Sequence, residues 1–236
     1  MDPLLVSAAS GMTTRMESLD MLANNIANTG TAGFKADRDF YNLYERQLPV
    51  IEKQWTDFSQ GTLIPTGNSL DLGLSGKGFF ALNSPSGIVY TRNGQFQISK
   101  ANLLETAEGY TLRNARANGM PIAADPTQPV QIDKNGVVTQ QGQEIGQIEI
   151  AGIGNPSQTL AKLGNSYFAA INASYKPAQA SGTEVRQGAL EQSNVPAADA
   201  AVRLVGVMRQ FEMLQKAMLA GADMDKQAIE QVAKVD

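Results

Sequence analysis

The chain has 236 residues, 42% of them hydrophobic and 18% charged, with 19 basic and 23 acidic side chains for a net charge of -4. That supports one sizeable core or two small ones, and the absence of any block of like charge argues against a nucleic-acid surface. There is no cysteine and no histidine, which excludes disulfides, thiol chemistry and Ser-His or Cys-His pairs, and removes the commonest general base and metal ligand.

Met1-Asp2-Pro3 carries no basic lead-in, and Leu4 to Ala9 is too short for the apolar core of a signal peptide. No stretch approaches the roughly 20 apolar residues that span a bilayer. The expectation is a cytosolic chain, or one exported without a cleaved signal. The first helix is predicted from about Pro3 to Ala27, with Asp2 as cap and Pro3 in the first turn. Leu5, Met12, Leu19 and Ile26 recur every seven residues, with Ala8 and Leu22 in the companion series and Arg15 interrupting it. This is a seam for packing one helix against another. Met1, Met12, Met16 and Met21 make the contact face adaptable. Asn24, Asn25 and Asn28, then Gly30 and Gly33, end the helix, since Asn and Gly tolerate the left-handed conformation.

From about Phe40 to Gly188 the pattern is β. Leu70 to Leu74 alternates, and Gly78 to Leu82 reads as a buried strand. Asn93-Gly94, between Ile88–Thr91 and Phe96–Ile98, and Asn135-Gly136, between Val130–Ile132 and Val137-Val138, both read as hairpin turns. Asn118-Gly119 marks a third turn. Ile145 to Ile153 reads as one alternating strand, and Ser174 to Thr183 as a returning loop. Short strands with Gly, Pro and Asn punctuation fit a folded-over sheet or an irregular barrel.

The last helix is predicted from near Pro196 to about Val232, with Ser193 or Asn194 as cap and Asp199 at the positive end of the dipole. Leu204, Val207, Phe211, Leu214 and Met218 keep a three-four spacing; Gly221-Ala222 loosens it, and Ile229 and Val232 resume it. So long a helix does not bury its stripe alone, and the first helix is the obvious partner. Periodicity leaves two arrangements open: a coiled-coil-like stalk, or both helices laid on a globular core. The fold class is α+β, with terminal helices around a central, mostly antiparallel β domain. The expected division is 1–35, 36–188 and 189–236.

Chemistry is sparse. Gly76-Lys77-Gly78 lacks both the earlier Gly of a phosphate loop and the following Ser or Thr, so it reads as a turn admitting close backbone approach. Asp223, Asp225 and Glu230 lack the spacing and central Gly of a calcium loop and read as a solvated helical face. Asp71 has no motif-marked acidic partner for glycosidase work. Asn24, Asn25 and Asn28 sit where capping and interhelical hydrogen bonds are the simpler reading. No catalytic, cofactor-binding or metal-ligating residue is assigned.

Ala23-Asn24-Asn25-Ile26-Ala27-Asn28 with Thr31-Ala32-Gly33-Phe34-Lys35 resembles the N-terminal signature of the bacterial flagellar rod and hook protein family. Gly67 to Phe80 resembles its central motif, and Tyr90-Thr91-Arg92-Asn93-Gly94-Gln95-Phe96 its hairpin. Gln187 to Val195 and Met208 to Met213 resemble its closing motif. The resemblance covers nearly the whole chain in the right order. It implies a structural subunit of the basal-body rod, not an enzyme, with no cofactor. It also implies export through the flagellar type III apparatus and a final place in the rod that crosses the periplasm. The partners implied are other rod proteins and copies of the chain itself, in a helical tube with the terminal helices inside. On that reading Leu5, Met12, Leu19, Ile26, Leu204, Phe211, Leu214 and Met218 bury the tube contacts. Asn24, Asn25 and Asn28 fix the turn to the β domain, and Phe34 and Lys35 anchor the connector by burial and by a polar contact. The modest connector, Ala36 to Ser69, and Pro65 to Asn68 look more like the proximal than the distal rod branch. Outside the axial role stand a cell-wall hydrolase, which the missing His and acid pair disfavour, and an export adaptor, which the β middle fits badly.

Overall fold

The computed structural model describes residues 3–43, 49–164, 166–172 and 174–232. No helix among them is long and apolar enough to cross a membrane. The chain divides into two units: residues 1–27, 37–56 and 195–236 in one, and 28–36 and 57–194 in the other. These cuts fall elsewhere than the expected 35 and 188. The stretch 37–56, expected within the β domain and its connector, groups with the helices, whereas residues 28–36 belong with the β unit.

In chain order the elements begin with α1 (Pro3–Ala27), β1 (Asp37–Leu43), β2 (Pro49–Thr56), β3 (Leu63–Pro65), β4 (Leu72–Ser75), β5 (Phe79–Ser84) and β6 (Gly87–Thr91). Next come β7 (Gln97–Ile98), β8 (Leu104–Glu105), β9 (Thr111–Leu112), β10 (Val130–Ile132), β11 (Val137–Gln140), β12 (Gln143–Gln147) and β13 (Ile150–Gly152). A single helical turn, α2 (Pro156–Thr159), precedes β14 (Leu160–Gly164), β15 (Tyr167–Ala170), β16 (Ala178–Gln179), β17 (Glu184–Gln187) and β18 (Ala189–Glu191), and α3 (Ala197–Val232) closes the chain.

In the helical unit α1 packs against α3 and against the antiparallel hairpin β1–β2. The most buried face of α1 is Ala8, Gly11, Thr14, Ser18, Leu22 and Asn25, of which only Ala8 and Leu22 belong to the companion series, with Met12, Leu19 and Ile26 half-buried beside it. Small side chains let a neighbouring backbone approach, and the buried hydroxyls are satisfied: Thr14 Oγ1 donates to the Ser10 carbonyl at 3.0 Å and Ser18 Oγ to Asp39 Oδ2 at 2.7 Å. On α3 the half-buried positions include Leu204, Val207, Phe211, Leu214, Met218 and Gly221, spaced three and four apart, while their neighbours are exposed. The side chain of Leu5 lies outside the described residues.

The β unit is built around β5, the strand read as buried. Its alternate residues enter two cores, Phe80 and Leu82 on one face, Phe79 and Ala81 on the other. The larger core joins Leu72, Leu74, Leu104, Leu112, Ile122, Val138, Ile148 and Val185. The smaller one stacks Phe58, Phe79 and Phe168 with centroids 5.1 to 6.0 Å apart. The main sheet runs β14-β15-β6-β5-β9-β8-β7, with β13 also pairing β5. Separate antiparallel pairs, β17–β4 and β18–β3, carry the chain back toward α3.

Several local expectations change. Asn135-Gly136 does close a hairpin, β10–β11, with Gly136 at φ +77°. Asn93-Gly94 does not: β6 pairs with β5 and β15, and β7 pairs with β8. Instead Gly94 O accepts from Leu72 N at 2.9 Å and Gln95 bridges Asp71, so the dipeptide sends the chain across to the central motif. Ile145 to Ile153 is two strands in different sheets, β12 on β11 and β13 on β5. The loop Ser174 to Thr183 contains β16. Asn194 is not a helix cap; its side chain bonds Ala36, Asp57 and Ser59.

Replacing Gly94 by Ala is expected to destabilise the β unit by about 2 to 3 kcal/mol, because the added Cβ overlaps the Leu72 carbonyl. Gly154→Ala, where a Cβ meets nothing within 4 Å, is the control and stays near wild type. Urea unfolding of the two variants checks both.

Candidate functional site

The quoted motifs lie far apart in sequence and meet in the β unit at one buried group of charges. Lys35, the last residue of the N-terminal motif, places Nζ 2.6 Å from Glu191 Oε1. Arg92, at the end of β6, places Nη1 3.0 Å from Glu191 Oε2. The Lys35 and Glu191 side chains are fully buried and that of Arg92 is 4% exposed. A lone buried charge is very costly, so each of these is held in place by the others.

The surrounding backbone supplies further partners, leaving Arg92 Nε without one. Lys35 Nζ also donates to the Ser59 carbonyl at 2.6 Å, and Gly61 N donates to Glu191 Oε1 at 2.9 Å. Arg92 Nη2 donates to the Gly76 carbonyl at 2.6 Å, and its guanidinium lies 5.3 Å from the centre of the Phe79 ring. Gly76 and Phe79 come from the central motif, so Gly76-Lys77-Gly78 does serve close backbone approach: a Cβ on Gly78 would sit 2.8 Å from Ile150. Gly33, at φ +66°, donates its N–H to the Glu191 carbonyl at 2.7 Å, and any side chain there would overlap the Arg92-Asn93 peptide. Phe34 is buried, with Lys162 Nζ 4.1 Å from its ring centre.

Electrostatically the cluster is two cations around one anion. Burial pushes the Lys35 ammonium below its usual range, only partly opposed by Glu191, with Arg92 adding to the depression. Burial likewise depresses Arg92. Asp71, considered above as a catalytic acid, accepts from Asn68 Nδ2 at 3.0 Å, a local bond that shapes the turn before β4.

The asparagines at the end of α1 take different roles. Asn25, 5% exposed, grips the backbone of Asp37: Oδ1 accepts from Asp37 N at 3.0 Å and Nδ2 donates to Asp37 O at 2.7 Å. Asn28 Oδ1 accepts from Thr31 Oγ1 at 3.1 Å in the turn beyond the helix. The Asn24 side chain is exposed. The half-buried Leu204, Phe211, Leu214 and Met218 share one face of α3. Outside that stripe Val202, Val205, Met208, Met213, Leu219 and Met224 are exposed, from 47% to 74%, spread around the rest of the helix.

Sequence reading missed Arg92 and Glu191 as a pair with Lys35. Both stood inside quoted motifs, and the only available signal was a charge set among apolar and small neighbours. Among the described residues no group of His, Cys, Asp or Glu gathers as a metal site would.

Comparison with known proteins agrees with the convergence of motifs. Three family models match: flagella basal body rod protein over residues 5–35, flagellar hook protein FlgE/F/G D1 domain over 73–140, and flagellar basal body rod FlgEFG protein C-terminal over 186–231. The flagellar basal-body rod protein FlgF of Caulobacter vibrioides is 32% identical, covering 99% of this chain and 98% of its own. The rod protein FlgG of Bacillus subtilis is 30% identical over 90% of this chain and 92% of its own. FlgG of Caulobacter vibrioides is 30% identical over 97% and 98%.

Replacing Glu191 by Gln leaves two buried cations without an anion and is expected to cost about 3 to 5 kcal/mol in urea unfolding. Replacing Lys35, Arg92 and Glu191 together by apolar residues of similar size is expected to cost much less. Lys35 also imposes a pH dependence. With its folded pKa below its unfolded one, the unfolded chain holds the proton over the interval between the two, so stability rises with pH there. Against Lys35→Met, wild type is expected to gain stability as pH rises toward the ordinary lysine value, about pH 10, measured by urea titration at each pH.

Proposed function

This chain belongs to the flagellar basal-body rod protein family, and from that membership we propose a rod subunit that polymerises helically through its terminal helices and passes torque along them. The family is structural and not enzymatic. As a rod-family protein the chain is a structural part of the flagellar basal body and assembles with other rod proteins.

One observation carries the helical-assembly reading. α3 carries apolar side chains beyond its half-buried stripe: Val202, Val205, Met208, Met213, Leu219 and Met224 are exposed around the rest of the helix. Six exposed aliphatic and Met side chains around a 36-residue helix fit burial against neighbours. Different patches meeting on successive copies make heterologous contacts, which build a helix where a self-complementary patch would close a dimer. In this arrangement α1 and α3 form a coiled-coil-like stalk within each subunit. Leu5, Met12, Leu19, Ile26, Leu204, Phe211, Leu214 and Met218 line its seam and the edges that reach the next subunit. Asn25 and Asn28 set the exit from α1, with Asn24 facing outward.

The finer placement is the proximal part of the rod, after export through the flagellar type III apparatus. The short connector and the end-to-end match to the Caulobacter vibrioides FlgF support it. The distal rod position is the second reading, supported by similar identity to FlgG proteins. A cell-wall hydrolase or an export adaptor is not favoured.

Two measurements test this. Quantitative mass spectrometry of purified basal bodies is expected to find a few copies per rod; copies in the tens would move the chain to the distal rod, and absence would end the axial reading. Replacing both Val205 and Met208 by Asp is expected to leave the isolated chain's stability within about 0.5 kcal/mol per site, since both are exposed, while abolishing incorporation and motility on complementation. Normal motility in that variant would remove the exposed face of α3 from the assembly surface.

A further inference from the structure

The chain passes between its two units at four places: 27/28, 36/37, 56/57 and 194/195. On the β-unit side of three of these stand Ala36, Asp57 and Asn194. We infer that Asn194 is a positioning residue, a staple whose single side chain holds the exit points of these passages in one hydrogen-bonded knot.

Asn194 Oδ1 accepts from Ala36 N at 2.8 Å. Its Nδ2 donates to the Asp57 carbonyl at 2.7 Å and to the Ser59 carbonyl and hydroxyl, each at 3.1 Å. Its own N–H donates to the Phe34 carbonyl at 3.4 Å, and Asp57 N donates to the Ala36 carbonyl at 2.8 Å. The amide orientation is set by its partners: a backbone N–H only donates and the carbonyls only accept, so a flipped amide would oppose both. Residues 36, 57 and 194 are thus tied pairwise, although 158 positions separate Ala36 from Asn194.

The staple adjoins the buried charge cluster without duplicating it. Lys35 precedes Ala36 and shares the Ser59 carbonyl with Asn194. Inside the helical unit a second asparagine does comparable work, Asn25 gripping Asp37 while Thr56 Oγ1 donates to Asp37 Oδ1 at 2.7 Å. The residues on each side of the 36/37 and 56/57 passages are therefore held within their own unit. A pull on any one passage is shared with the others before a segment peels away from the β unit. That follows from the bonding alone and is independent of the rod assignment.

Hydrogen exchange of the purified full-length chain, read by mass spectrometry, tests it with Asn194→Ala and the isosteric Asn194→Asp. The Asp variant keeps the acceptor for Ala36 but turns an oxygen toward two carbonyls. Both variants are expected to speed exchange at the amides of Asp57 and Asn194 by on the order of tenfold or more, with Ala36 joining them in Asn194→Ala. The strand amides of Phe80, Leu82 and Val89 are expected to stay as in wild type. Equal acceleration throughout the β unit would reduce Asn194 to a general stability residue and overturn the inference. Acceleration at Ala36 alone, or at none of these sites, would also overturn it. Asn194→Asp keeps the test decisive where the Ala variant fails to fold, and Ser59→Ala, which removes one hydroxyl, is expected to leave Asp57 and Ala36 unchanged.

Discussion

Burying a charge is the strongest constraint in this structure, and Glu191 carries it. Its carboxylate sits without solvent exposure between Lys35 and Arg92 and takes a further N–H from Gly61. Neither cation is tolerable there without it. The consequence is topological: the segment after α1, the end of β6 and the end of β18 must come together, because none reaches its folded environment alone. The turn at Gly33 and the close approach of Gly76 to the guanidinium follow from the same requirement.

That constraint organises how the two units share the chain. Residues 28–36 leave α1 yet belong to the β unit, where Phe34, Lys35 and Ala36 are buried. The hairpin β1–β2 then returns to the helices, and residues 57–61 come back beside Glu191 and Asn194. The two units are thus connected through several strands of chain.

Much of this was legible in the residues. The inner ends of α1 and α3, at Ala27 and Ala197, followed from period and helix-breaking residues, and the stripe at Leu204, Val207, Phe211, Leu214 and Met218 is the less exposed face of α3. Gly78 to Leu82 read as buried because it is apolar at consecutive positions, and β5 feeds two cores with that run. The errors share a cause. Asn93-Gly94 has the local chemistry of a hairpin, but Leu72 competes for the Gly94 carbonyl and wins through the packing of β4. Asn194 has the chemistry of a cap, but three backbone partners from distant segments claim its amide.

The sequence by itself determined the periodic elements, the absence of thiol and imidazole chemistry, and the motifs that mark the family. These depend on neighbours within a turn or two, whose spacing the chain displays directly. Only the tertiary structure decided that Lys35, Arg92 and Glu191 share one buried site, that the most buried face of α1 is its small-residue series, and that Asn25 and Asn194 bind backbone far from themselves. Such contacts join residues from 12 to 158 positions apart. Their partners are backbone groups and single charges with no periodicity, and they acquire meaning only when desolvation makes every unpaired polar atom costly.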